Sequence, residues 1–225
     1  MARLFRRPVL TPEAAAYRAA PVAPGWTPWR RAGFCVVDLE LSGLDPARDE
    51  IISFAAVPVD GGVVGAGRAI EGLCRPTQPL TEPSVLIHGL RTVDLAAAPP
   101  LDVAVGPLLA AMAGRVLVAH VAWVERRFLG AAWDRQGLRL RGPVVDTLAM
   151  ARLWAARRGE PAPDEDLGTL ARRLGLPVHR PHVAMGDALT TAQVFIALAA
   201  LLERDRPETV SSLAHAPERA GLEAM

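Results

Sequence analysis

With 225 residues, 51% of them apolar, the chain has material for one well-buried domain and a modest extension. Its formal net charge of +1 excludes a protein that coats nucleic acid by bulk charge, so a polyanion would need a local site. Two cysteines, Cys35 and Cys74, are too few for a disulfide framework or a zinc cluster. The longest purely apolar run, residues 194–202, is too short to span a membrane. The arginine-bearing start "MARLFRRPVL" lacks the apolar segment of a secretory signal. A cytoplasmic protein with no membrane partner is the expectation. All 25 basic residues are arginine, a bias that suits bidentate phosphate contacts but is more simply read as coding bias.

Residues 1–31, rich in proline, alanine and arginine, read as an irregular arm ending in "PGWTPWRR", whose Trp26 and Trp29 either pack back on the domain or dock a partner. A strand is expected at 34–39 and a second at 51–57. The "DGG" turn at 60–62 leads to a third near 63–71, antiparallel by its turn chemistry. A proline-punctuated connection follows, ending in a short helix at "IHGL". "PLDVAVGPLLAAMAG" suits a helix and "RVLVAH" a strand, and "VAWVERRFLGAAWDRQGL" has helical periodicity. "GPVVDTLAMARLWAARRG" reads as a short strand, Asp146 as N-cap, and a helix closed by Gly159. "LGTLARRLGL" is a short helix and "GDALTTAQVFIALAALLERD" a long final one, beyond which the tail loses periodicity. Strand pairs followed by alternating helices and strands predict an α/β domain on a mixed sheet. The arm is bounded at 1–31, the domain at 32–205 and the tail at 206–225.

The chemistry concentrates in acids. Asp38 and Glu40 end the apolar strand "FCVVDLE", and residues two apart on a strand share a face. Like charges held that close repel unless a cation lies between them. Asp187 opens the apolar final helix, and His182 lies five residues upstream; a helix cap is one reading of this acid, a carboxylate at a metal the other. An imidazole there can take a proton from water near neutrality. "LVAHVAWVERRFL" adds His120 and Glu125 at a strand-to-helix junction. His120 suits a junction hydrogen bond, and Glu125 suits either an exposed charged face with Arg126 and Arg127 or a site. Asp146 reads as a cap.

In order, "VVDLELSGLDPARDEIISFAAV", "IHGL", "VLVAHVAWVERRFL", "VVDTLAMARL" and "HVAMGDALTTAQ" resemble the DEDDh, or DnaQ-like, 3′–5′ exonuclease family over residues 33–203. That family includes the epsilon subunit of DNA polymerase III, ribonuclease T and oligoribonuclease. The resemblance implies an RNase H-like fold, a five-stranded mixed sheet flanked by helices. It also implies two divalent cations, magnesium or manganese. It makes Asp38, Glu40 and Asp187 metal ligands and His182 the general base. Leu41 and Ser42 fall in the turn that cradles the 3′-terminal nucleotide, usually with two threonines. The middle motif departs from the family's His-Asn-Ala-x-Phe-Asp: Val121 stands for the asparagine, Val124 for the phenylalanine that would stack on a base, and Glu125 for the aspartate ligand.

The implied activity is hydrolysis of single-stranded 3′ ends to nucleoside 5′-monophosphates, on DNA in proofreading or repair, with a polymerase subunit as partner. Arginines in "RQGLRLR" or "RPH" would steer the backbone. The alternatives are an RNA or oligoribonucleotide exonuclease, a weakly active nucleic-acid- or polymerase-binding module, and a magnesium-dependent phosphomonoesterase, which would not need His182.

Overall fold

A computed structural model describes residues 10–215. The central strand β1 (Gly33–Leu41) pairs antiparallel with β2 (Ile51–Asp60), from Gly33 opposite Asp60 to Glu40 opposite Ser53. β5 (Val116–Ala119) lies parallel to β1 on its other side, and β6 (Val144–Asp146) lies parallel to β5. The expected third strand at 63–71 is two pieces, β3 (Val63–Val64) and β4 (Ile70–Leu73), both on the outer edge of β2. Pro58 accounts for the break. Its carbonyl accepts from Gly65 N–H at 2.7 Å on that edge, but its ring offers no N–H in return, and a 3₁₀ turn at Ala66–Arg68 fills the gap. The mixed sheet therefore has six strands, ordered β3-β2-β1-β5-β6 with β4 also on β2.

Strand alternation divides the core in two. Phe34 and Val36 of β1 face one apolar cluster, and Cys35, Val37 and Leu39 face another. The first is closed by α6 (Thr147–Arg157), α7 (Leu167–Arg173) and α8 (Ala184–Glu203). The second is closed by α1 (Pro12–Ala19), α4 (Gly106–Met112) and α5 (Trp123–Arg135). α8 is long and apolar enough to cross a membrane, but Ala188, Ala192, Phe195 and Ala199 are buried in the first cluster, so it is the domain's core helix. Burying Phe34 and Phe195, whose rings meet at 4.7 Å, is worth roughly 1.5–3 kcal/mol each.

Three expectations need correcting. The arm is not irregular throughout: α1 is capped by Thr11, whose hydroxyl accepts from Ala14 N–H, with Pro12 in its first turn. Trp29 is buried against Phe195, and only Trp26 is exposed. The segment 101–113 is two short helices, α3 (Leu101–Ala104) and α4, with Pro107 in the first turn of the second. The tail carries α9 (Val210–Ala214), and Val210 N–H and Ser211 N–H bond to the carbonyls of Thr27 and Gly25. The short helix expected at "IHGL" is present as α2 (Glu82–His88), which ends on Gly89 at φ 76°, the left-handed conformation that glycine takes readily.

Candidate active site

The row Phe34–Val36–Asp38–Glu40 carries the two acids of β1 onto the face covered by α8. Asp187 is in the first turn of α8. Carboxylate oxygens of Asp38, Glu40 and Asp187 all lie within 4.8 Å of one another. A register shift between Glu40 and Leu41 ends the regular β1–β2 pairing there, as bulges beside sites commonly do.

Burial pushes the Asp38 carboxyl well above the usual range, and the charges of Glu125, Asp187 and Glu40 push it further. Glu40 is pushed up to about 7 by burial and by Asp187. Asp187 is raised by burial, with the His182 backbone N–H and charge opposing. Among the described residues no arginine pairs with this group, and only His182 offsets its charge. A cluster of hard oxygen donors that repel one another suits a divalent cation. The residues present therefore fit the implied metal.

A pH dependence of stability follows. With cations chelated, Glu40 at about 7 and Glu125 at about 8 hold protons in the folded state that the unfolded chain releases near the ordinary 4.5. The folded state then binds more protons, so stability falls as pH rises through 5 to 9. The melting temperature in chelator is expected to drop across that window. Magnesium or manganese should restore it more at pH 8.5 than at 5.5. A flat profile in chelator would contradict the clustering.

His182 is exposed, on a loop pressed against α8. Its backbone stands at φ 58°, a left-handed conformation that a non-glycine residue adopts only when held. The hold is Asp187 Oδ2, which accepts from His182 N–H at 2.8 Å. Gly186 permits the approach, since a Cβ there would collide with the carbonyl of Arg180. Asp187 is thus no helix cap: α8 begins three residues earlier, at Ala184.

Glu125 is 5% exposed, whereas Arg126 and Arg127 point to solvent, so it does not belong to an exposed charged face. Burial, aided by Asp146, raises it to about 8, against a backbone hydrogen bond that lowers it. Its Oε2 is buried without a hydrogen-bond partner. Its charge bears on Asp38, but it stands outside the group of three. His120 makes the expected junction bond, Nδ1 to Thr147 Oγ1 at 2.9 Å. Asp146 caps α6 through Leu148 N–H at 2.8 Å and also accepts from Ala122 N–H at 3.1 Å, tying the two motifs together.

Val121, between these two bonds, has φ 59°. A β-branched residue is strained there by roughly 1–2 kcal/mol, and asparagine, the residue of the family motif, is far better tolerated. Val121→Asn is expected to raise the unfolding free energy by about 1 kcal/mol, read by urea denaturation. Unchanged or lower stability would show that packing of the valine outweighs its backbone.

Leu41 and Val124 are half-buried at the margin of the second apolar cluster. The Ser42 hydroxyl is engaged within its own loop, donating to Asp49 Oδ1 at 3.1 Å and accepting from Glu50 N–H at 2.9 Å. Glu40 and His182 line a cleft of about 810 Å³, and His88, given no role on sequence, lines it too. The "IHGL" motif was the available signal, but nothing in its spacing marks the histidine as facing the site.

The exonuclease family model, RNase_T, matches residues 35–195. The chain belongs to the exonuclease family, as a DnaQ-like 3′–5′ exonuclease domain. A DNA polymerase III subunit epsilon-like protein of Rhodobacter capsulatus is 34% identical over 177 residues, which cover 76% of this chain and 24% of the relative. A PolC-type DNA polymerase III of Thermotoga maritima is 31% identical over 175 residues, 77% of this chain and 12% of the relative. The chain thus spans a quarter or less of the length of these relatives. Exonuclease X in complex with 5′-overhanging duplex DNA has TM-score 0.60 and 22% identity, covering 81% of this chain and 98% of its own. The zinc-bound Escherichia coli exonuclease I complex with single-stranded DNA has TM-score 0.67 and 21% identity, covering 78% and 41%. These two likenesses bear on the fold.

Proposed function

We propose that the chain is a metal-dependent exonuclease that removes nucleoside 5′-monophosphates from the 3′ ends of DNA. The observation that carries this is the convergence of Asp38, Glu40 and Asp187 within 4.8 Å, with Asp187 also holding the backbone of His182. The three carboxylates would hold two divalent cations, magnesium or manganese, with Glu125 as a fourth acid beside them. Bound cations supply charge neutralisation on the phosphodiester oxygens and lower the cost of ionising a water.

His182, exposed beside the acids, takes the proton of the attacking water as its oxygen bonds to the terminal phosphorus. The bond from phosphorus to the 3′ oxygen of the preceding nucleotide breaks. That oxygen takes a proton from solvent, and the departing nucleotide keeps its phosphate on the 5′ oxygen. Leu41 and Val124 offer apolar surface to the terminal nucleotide, and Ser42 contributes by shaping the turn.

DNA is favoured over RNA by the polymerase names of the relatives, which also favour a DNA polymerase as the partner. The test is release of label from 3′-labelled single-stranded DNA and matched RNA, each with magnesium, manganese or chelator. Faster release from DNA, abolished by chelator, is expected. Faster release from RNA would reassign the substrate, and no release from either would leave a binding module.

The middle motif makes its own prediction. Glutamate is one methylene longer than the family's aspartate, and magnesium demands stricter octahedral geometry than larger cations accept. The wild type is expected to prefer manganese, Glu125→Gln to lose at least about tenfold in rate, a barrier rise of about 1.4 kcal/mol, and Glu125→Asp to stay active. Wild-type kinetics in Glu125→Gln would remove Glu125 from the site.

A further inference from the structure

The cleft lined by Glu40 and His182 is also lined by Glu71, Gly72 and Leu73 of β4 and by Val103 and Ala104 of α3. Leu73 of β4 and Val103 of α3 form its walls and remain 42% and 65% exposed, a large apolar exposure beside a candidate active site. The chain carries 25 arginines, yet among the described residues none lines this cleft. Its further charged groups are acids, Glu71 and Asp94. Arg91, nearby in sequence, is spent on Asp94 through bonds of 2.9 and 2.7 Å. Asp94 and Arg91 cancel, so Glu71 and Glu40 set the charge of the walls and a chain of phosphates meets no arginine here, whereas flat, weakly polar bases find matching walls.

His88 gives the cleft a fixed polar point. It is 8% exposed and its Nδ1 accepts from Leu90 N–H at 3.0 Å, which leaves the proton on Nε2. That Nε2 is buried without a protein partner in a residue that lines the cleft. An orphaned donor so placed suits an acceptor oxygen or nitrogen on a nucleotide.

We propose that this cleft takes the bases of the nucleotides leading to the scissile one, so that the strand is held by its bases and not by its phosphates. This rests on the exonuclease reading above. It predicts an affinity that depends weakly on salt, because few counterions are released. It also departs from the expectation that arginines track the backbone. Arg141, for one, is committed to the carbonyls of Tyr17, Arg18 and Ala20.

The test compares KM for an oligothymidylate with KM for the same oligomer made abasic at the second and third positions from its 3′ end. Both are measured at fixed magnesium in 50 and 200 mM sodium chloride. The abasic oligomer is expected to show a KM at least tenfold higher. The salt increase should raise KM for the intact oligomer only about three- to sevenfold, as one or two neutralised phosphates would give. Equal KM values for the two oligomers, or a salt effect above about a hundredfold, the mark of five or more phosphate contacts, would overturn the proposal.

Leu73→Arg provides a second check. A cation in the wall should raise KM if bases lie there, and a lower KM would mean phosphates do. Hydrolysis of the p-nitrophenyl ester of thymidine 5′-monophosphate by the wild type separates the two readings, since this substrate has no second base. Chelator-sensitive hydrolysis of the ester with equal KM values for the oligomers overturns the cleft alone. Failure to hydrolyse the ester and both oligomers overturns the exonuclease reading beneath it.

Discussion

Asp38→Asn is expected to reduce hydrolysis by at least about a thousandfold, a barrier increase of about 4 kcal/mol, while the protein folds as well as before or better. Asp38 is the acid on which the other three charges converge, Glu125, Asp187 and Glu40 each bearing on it. Its replacement by an amide of the same shape removes the negative charge that draws cations into the group. The same change relieves repulsion in the cation-free protein, so the melting temperature in chelator should be unchanged or higher. Single-turnover kinetics and a thermal melt measure the two halves. A variant that keeps more than about a tenth of the wild-type rate, a barrier change below about 1.4 kcal/mol, would remove Asp38 from the centre of the account.

The next largest effect is expected from His182→Gln, a loss of about a hundred- to ten-thousandfold in rate with cation binding retained. The side chain is exposed, and the backbone N–H that bonds to Asp187 is kept, so the substitution takes from the carboxylate group only the opposing charge of the imidazole. Calorimetric titration with manganese should give an affinity for the variant no weaker than that of the wild type. A variant with wild-type rate would assign the proton transfer elsewhere.

The acids were legible because a strand has a period of two: Asp38 and Glu40 had to share a face once "FCVV" was read as strand. That the face would meet Asp187 was not legible from spacing, since it depends on α8 crossing β1 and β2. His182 owes its place to a positive φ and to the absent Cβ of Gly186, neither of which a histidine or a single glycine announces. Glu125 sits in sequence beside two arginines that solvate, and only packing reveals that it is buried while they are not. The helix at Pro12 was legible in "TPEAA", a cap followed by proline and an acid, but the surrounding prolines and arginines obscured it. The division of the third strand at Pro58 depends on which edge of β2 that residue turns towards, which periodicity does not record.

The central claim is a cation-dependent enzyme acting from the 3′ end. A 5′-labelled single-stranded oligodeoxynucleotide, digested with manganese and resolved over time, tests it directly when the released product is identified by mass. The account predicts a ladder shortening one nucleotide at a time from the 3′ end, release of nucleoside 5′-monophosphates alone, and complete arrest by chelator. Internal cuts, 3′-monophosphates or digestion that survives chelation would contradict it.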